Sequence, residues 1–313
     1  MKAVQINSYG DVEVLEVIEG VEKPTAGQGQ VLVEVYGASI NPFDWKLREG
    51  QAKDYLKLDF PVIMGGDFAG VVIGLGENVS DFTVGDEIYG QAASYAGGTG
   101  AFAQYLAGAV GKIAKKPKNI NFLEAASLPL VGISALQALE THIELREGQK
   151  ILIHGGTGGI GSVAIQIAKA LGAYVATTVK SEDFDYVKDL GADEAIDYTS
   201  EAFEEKLKDF DAVFDTIGGE TTNKSFLVLK KGGVLVSMVG EPSGELADKY
   251  GVRVVGQNSE GNTERLERLA ELVESGKVKP QIDKVFTLDE VKEAFLRLEK
   301  GHQHGKVVLK NRD

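Results

Sequence analysis

The stretch Lys150-Ile-Leu-Ile-His-Gly-Gly-Thr-Gly-Gly-Ile-Gly161 decides the fold. The apolar run 151–153 reads as a buried parallel strand, because such strands are covered on both faces. Gly156, Gly158 and Gly161 follow with the spacing G-x-G-x-x-G, and residues 162–171 continue as an amphipathic helix. Residues 172–179 then supply a second strand, completing a strand–helix–strand unit of about 30 residues. Without Cβ atoms the turn lets backbone approach a pyrophosphate, and the free N–H groups at the helix start stabilise its charge. The stretch therefore predicts a dinucleotide site.

The end of the second strand bears on which nucleotide fits. An Asp or Glu about 20 residues beyond the glycines would accept from a ribose 2′-hydroxyl. Thr177, Thr178 and Val179 stand there instead, followed by Lys180 and Ser181. A cation and a hydroxyl suit a 2′-phosphate, so NADP(H) is the expected cofactor. Glu182 and Asp183 are read as first-turn acids behind a Ser181 N-cap, directed away from the nucleotide.

A chain of 313 residues exceeds the usual limit of one core, so two domains are expected. Its net charge of −14 disfavours a nucleic-acid partner. There is no cysteine, which removes disulfides, thiolate nucleophiles and cysteine-ligated zinc. The opening residues alternate like a strand rather than a signal peptide, and no apolar run approaches the ~20 residues of a membrane span. A soluble, cytoplasmic protein is expected.

Up to about residue 117 the pattern is of short strands at 12–18, 30–36, 70–75, 87–89 and 103–107, broken by Gly, Asn and Pro, suggesting a compact β barrel. In the loop 37–46, Asn41 and Asp44 flank Pro42, and Lys46 follows; a capped turn opening a short helix explains each alone. Trp45, Tyr55 and Tyr95 could line an apolar pocket or belong to the core. Gly65, Gly66 and Gly70 suit close packing or positive φ, and Asp67 is expected to serve neighbouring backbone groups. Beyond residue 118, helices alternate with apolar strands at 195–198, 212–217, 233–239 and 252–255, which calls for a parallel sheet with covering helices. Tyr198, Ile217, Val239 and Gly240 end strands at the carboxyl edge, where ligands collect. Helices are read at 264–275 and 288–300, the latter opened by a Thr287/Glu290 capping box. Residues 305–309 form a closing strand. His302 and His304, on a polar loop without a nearby carboxylate in sequence, are read as solvated, and no metal site is expected.

Together, Ser39-Ile-Asn-Pro-Phe-Asp-Trp-Lys46, Gly65-Gly-Asp-Phe-Ala-Gly70, Val84-Gly-Asp-Glu-Ile-Tyr-Gly90, Ala126-Ser-Leu-Pro-Leu130, the glycine turn, Leu190-Gly-Ala-Asp193 and Gly305-Lys-Val-Val-Leu309 carry a resemblance over nearly the full chain. The chain resembles the medium-chain dehydrogenases/reductases, in their zinc-independent quinone oxidoreductase and enone (2-alkenal) reductase branch. The resemblance implies an α/β protein with a GroES-like β-barrel domain from residues 1–120 and 263–313, and a Rossmann domain with a doubly wound parallel sheet from 121–262. It implies hydride transfer from NADPH to a quinone or to the β-carbon of an α,β-unsaturated carbonyl. Zinc-dependent members of the wider superfamily carry a cysteine where this chain has its Asn41 loop.

By the same resemblance, Lys46 would stabilise the developing enolate, with Asn41 and Asp44 holding its loop. Gly156, Gly158, Gly159, Ile160 and Gly161 would take the pyrophosphate, and Thr178, Lys180, Ser181 and Tyr198 the 2′-phosphate end. Ile217, Val239 and Gly240 would lie near the nicotinamide ribose, with Gly305 and Lys306 closing the site. A cofactor-binding regulatory or structural protein is the alternative. The apolar edge at 252–255 suggests a homodimer through strand addition.

Overall fold

The computed structural model describes residues 1–312, which form two compact units. The first contains Met1–Leu130, Gly261–Glu274 and the described residues from Pro280 onward; the second contains Val131–Glu260 and Ser275–Lys279.

The first unit begins with eight strands: β1 Ala3–Ile6, β2 Glu16–Ile18, β3 Gln30–Ile40, β4 Val62–Ile63, β5 Asp67–Leu75, β6 Glu87–Gln91, β7 Tyr105–Ala109 and β8 Ile113–Lys115. The long strand β3 organises them. One of its edges pairs with β5, while β7 takes only residues 30–34 of the other edge. Val31, Val33 and Val35 alternate inward and are fully buried, as a half-buried strand requires. At Gly70 a Cβ would stand 2.2 Å from the Glu34 carbonyl oxygen, so only glycine allows this approach of β5 to β3. The helix Phe122–Ala126 packs on the far part of β3, with Leu123 and Ala126 filling the space above Gly37.

The expected strand over 12–18 is broken. The Asp11 carboxylate accepts the Glu13 N–H at 3.0 Å and closes a single helical turn at Val12–Val14, so pairing starts only at Glu16.

The second unit is a six-stranded parallel sheet. Its strands are β9 Lys150–His154, β10 Tyr174–Val179, β11 Glu194–Asp197, β12 Phe210–Asp215, β13 Leu229–Ser237 and β14 Arg253–Gly256, in the order β11-β10-β9-β12-β13-β14. The order reverses at β9, so the carboxyl ends of β9, β10 and β12 flank the crevice where such sheets bind ligands. Ile151, Leu152 and Ile153 are fully buried on both faces.

The chain then returns to the first unit with β15 Ile282–Thr287 and β16 Lys306–Lys310. β16 pairs antiparallel with residues 37–40 of β3, the part that β7 leaves free. The Thr287/Glu290 capping box is present, with Thr287 N–H and hydroxyl both donating to Glu290. On the helix Pro42–Arg48, Arg48 is fully buried and donates to the Gly10 carbonyl, Glu49 and Glu299 while lying over the Phe295 ring.

Gly70→Ala should lower the urea midpoint of unfolding, with a loss of roughly 2–3 kcal/mol from forcing the two strands apart. Gly74→Ala, whose Cβ would meet Leu32 at an ordinary 3.4 Å, should cost less than about 1 kcal/mol. Equal losses from the two substitutions would show that the close approach at Gly70 is not limiting.

Candidate active site

In the second unit the glycine turn is shaped by what it leaves out. A Cβ on Gly156 would stand 2.3 Å from Thr177 Oγ1, and one on Gly161 would stand 2.1 Å from the Gly155 carbonyl oxygen. Both positions are therefore dictated by packing of the helix Gly159–Ala170 on the sheet. Gly158 differs. Its nearest neighbour would be 3.4 Å away, and as the residue before the helix it has no side chain to cap the first N–H groups. Gly159, Ile160 and Gly161 thus present first-turn N–H groups without intrahelical partners. This cradle fits a dinucleotide pyrophosphate.

Along the same edge, Tyr198, Ile217 and Val239 are large side chains about half exposed. Ile217 and Gly218 form a turn pinned by Asp215, whose carboxylate accepts the Ile217 N–H at 2.8 Å, the Gly218 N–H at 3.2 Å and the Thr222 hydroxyl. Gly218 has φ +87°, and a Cβ there would lie 2.9 Å from Val239, so turn and strand end fit only with glycine. Gly240, at φ +120°, is open.

The expected 2′-phosphate end needs correction in detail. Lys180, not Ser181, occupies the cap position of the turn Ser181–Asp183, and Ser181 favours the ionised form of Asp197. Asp197 ends β11 and is held down to about 2 by the Thr199 hydroxyl and N–H at 2.6 and 2.9 Å, with Ser181 and Ser200 assisting. Sequence spacing from the glycines gave no reason to look that far along for an acid. Lys180 lies 3.8 Å from Glu182, a pair exposed enough to be weakly held. Asp183 is buried. Thr178 is also buried, and its hydroxyl lies 2.9 Å from His154 Nδ1.

In the first unit, Asn41 stands at the centre of a buried polar cluster. Its Nδ2 donates to Asp67 at 2.9 Å, its Oδ1 accepts from the Lys306 ammonium, and its backbone N–H donates to Asp44 at 2.7 Å. Lys306 also donates to the Ile40 carbonyl at 2.7 Å. Asp67 further accepts from Gln91 at 3.0 Å and from the Leu130 N–H at 3.2 Å. The expectation that Asp67 serves its neighbouring backbone is thus corrected: its partners are distant in sequence and mostly side chains. The resemblance gave Lys306 to the cofactor, yet its ammonium is buried in this cluster. A Cβ on Gly305 would stand 2.2 Å from the Gln281 carbonyl oxygen, so packing accounts for that glycine.

Burial governs the cluster's charges. It pushes the Asp44 carboxyl up to about 7, against the Asn41 N–H that favours the ionised form, and it raises Asp67 and lowers Lys306. Lys46 follows on the same helix as Asp44. It is half-buried, lies 5.7 Å over the Trp45 ring, and has no ion-pair partner among the described residues. Trp45 packs on the core, Tyr55 is exposed, and Tyr95 meets Phe43 edge to face.

Residues 27–118 match the alcohol dehydrogenase GroES-like domain, and residues 190–309 match the zinc-binding dehydrogenase family. A 2-methylene-furan-3-one reductase from Solanum lycopersicum is 40% identical over 99% of this chain and 79% of its own length. The chain is a medium-chain dehydrogenase/reductase of the quinone oxidoreductase and enone reductase branch. An NADPH-dependent alkenal/one oxidoreductase of Arabidopsis thaliana, a chloroplastic protein, is 38% identical over the same shares. The structure of a quinone oxidoreductase from Coxiella burnetii superposes with a TM-score of 0.93 at 36% identity, covering 100% of this chain and 99% of that one. The expected fold class, a GroES-like unit and a Rossmann unit, holds. Despite the name of the second matching family, this member has no cysteine with which to build a cysteine-ligated zinc site.

Because Asp44 titrates at about 7 in the fold against 3.8 ordinarily, the unfolded chain releases that proton first as pH rises. Stability should therefore fall from about pH 4 to about pH 7 and then level off. Asp44→Asn should show a flatter dependence over that interval in urea titrations at stepped pH; an unchanged slope would place the titration elsewhere.

Proposed function

We propose that this oxidoreductase uses NADPH to reduce quinones or the β-carbon of α,β-unsaturated carbonyls. The observation that carries the proposal is the cradle at Gly158, open to a phosphate where the glycines on either side are closed by packing. The acceptor class follows the relatives' activities, 2-methylene-furan-3-one reduction and alkenal/one reduction.

When bound, NADPH supplies a hydride. The first-turn N–H groups of Gly159, Ile160 and Gly161 hold its pyrophosphate, with Gly156 and Gly158 shaping the turn. Lys180 pairs with the 2′-phosphate, Ser181 and Tyr198 flank it, and the buried Thr178 contributes through the strand end it belongs to. Ile217, Val239 and Gly240 border the nicotinamide ribose. Lys46 donates to the acceptor's carbonyl oxygen as negative charge builds there, and no ion pair among the described residues engages its ammonium. Asn41 and Asp44 hold the Lys46 helix in place, and Lys306 acts through Asn41 rather than on the cofactor.

No helix among the described residues is long and apolar enough to cross a membrane. A cytoplasmic location is proposed, and the net charge of −14 speaks against a nucleic-acid partner. β14 is an edge strand with half-exposed Val254 and Val255, so we propose a homodimer by strand addition, which sedimentation as a monomer at micromolar concentration would refute.

NADPH oxidation should be seen with enone or quinone panels without added metal. Saturated ketone products would establish attack at the β-carbon, and hydroquinones would establish quinone reduction. Tight NADPH binding with no oxidation by either panel would refute the enzyme activity in favour of a non-catalytic role. Lys46→Ala should lower kcat/KM for enones by about 100- to 1,000-fold, as loss of one oxyanion donor does, while NADPH affinity stays within about threefold. Lys180→Ala should weaken NADPH by about tenfold and spare NADH, since one charge-assisted contact is lost.

A further inference from the structure

His154 is the last residue of β9, directly before the glycine turn, and its ring is fully buried. Its Nδ1 lies 2.9 Å from Thr178 Oγ1 near the end of β10, and its Nε2 lies 3.0 Å from Ser225 Oγ on the helix Glu220–Ser225. The proton positions follow from the partners. Ser225 donates its hydroxyl hydrogen to the Thr221 carbonyl at 2.7 Å, so toward the ring it can only accept. Nε2 therefore carries the hydrogen, Nδ1 is bare, and the Thr178 hydroxyl donates to it. The ring edge packs on Phe203 at 4.7 Å between centroids.

The backbone of the same residue makes a third tie. Its carbonyl accepts from the Thr216 hydroxyl at 2.8 Å, next to Ile217. One residue thus joins three segments: the strand end that delivers Lys180 and Ser181, the turn at Ile217 and Gly218, and the helix beneath that turn. Register places Thr178 and Asp215 on either side of His154 across the sheet.

We propose that His154 is a positioning residue for the nucleotide, its Nε2-protonated ring fixing the 2′-phosphate end of the site at a set distance from the nicotinamide-ribose turn. This deepens the NADPH assignment and rests on it. Burial, opposed by Asp215 and Glu204, pushes the ring down to about 4, so it stays neutral across the working range. Glu204 is itself paired with Lys224 at 2.8 Å, and Asp215 is occupied by the turn.

The proposal separates from simple packing through nucleotide discrimination. NADPH and NADH share every contact except the 2′-phosphate, so general loosening of the unit would weaken both alike. His154→Phe keeps the ring and removes both hydrogen bonds; Thr178→Val keeps the shape and removes one. Dissociation constants for both nucleotides, measured on the full chain by quenching of intrinsic fluorescence, should show NADPH weakened by about tenfold and NADH by less than about threefold in each variant. His154→Asn sets an amide oxygen near the place of Nδ1 and should recover part of the NADPH affinity. Equal losses for the two nucleotides, or no loss, would overturn the proposal. Nitrogen-15 NMR of the wild-type ring supplies an arm that does not depend on a variant folding: a protonated Nε2 and bare Nδ1 are expected, and the opposite tautomer would overturn it. Wild-type protein that binds neither nucleotide would sink the cofactor assignment and this proposal together, whereas wild-type binding with an unchanged ratio in the variants would sink this one alone.

Discussion

A helix can sit close to the strand that feeds it only where atoms are missing. In the second unit the missing atoms are the side chains of Gly156 and Gly161, whose Cβ positions are already taken by Thr177 and by the Gly155 carbonyl. Any larger residue would push the helix Gly159–Ala170 outward, and its unpaired N–H groups would no longer stand over the end of β9. The crevice between β10 and β12 follows from that seat. At Gly158 a Cβ would meet only the Gly155 carbonyl oxygen, at an ordinary 3.4 Å.

The first unit solves a different problem, that of holding polar groups without water. Asp44, Asp67 and Lys306 are all buried, and desolvation works against each charge. They are tolerated because Asn41 offers both a donor and an acceptor and links them, while Gln91, Ile40 and Leu130 satisfy much of what remains. Apolar packing of the same volume often does as well for stability. What this cluster holds is the start of the helix Pro42–Arg48, through the bond from the Asn41 N–H to the Asp44 carboxylate.

How much of this was legible in the sequence depended on the distance between partners. The glycine turn, the βαβ unit and the Thr287/Glu290 cap were readable because every partner lies within one local segment. The Asn41 and Asp44 turn was readable for the same reason. The side-chain partners of Asp67 and Lys306 were not legible because Asn41 stands 26 and 265 residues from them, and pairing over such spans leaves no periodic trace. His154 stands within the motif itself, yet nothing local in the sequence shows that Thr178 and Ser225 converge on it. The strand Ile282–Thr287 was missed because Asp283 and Lys284 interrupt its apolar pattern, and the strand expected at 12–18 failed because Asp11 bonds its own neighbour first.

The tie between Lys306 and Asn41 also sets a schedule. Domains tend to fold as they leave the ribosome, amino-terminal parts first. Here β3 and the Asn41 helix are made early, but the strand that carries Lys306 is made after the whole parallel sheet. Until then the carboxylates of Asp44 and Asp67 have no ammonium beside them, and the part of β3 at residues 37–40 has an open edge. Residues 37–40 of β3 therefore wait for a partner on that edge until Lys306–Lys310 docks, although the sheet of the second unit has been made in between.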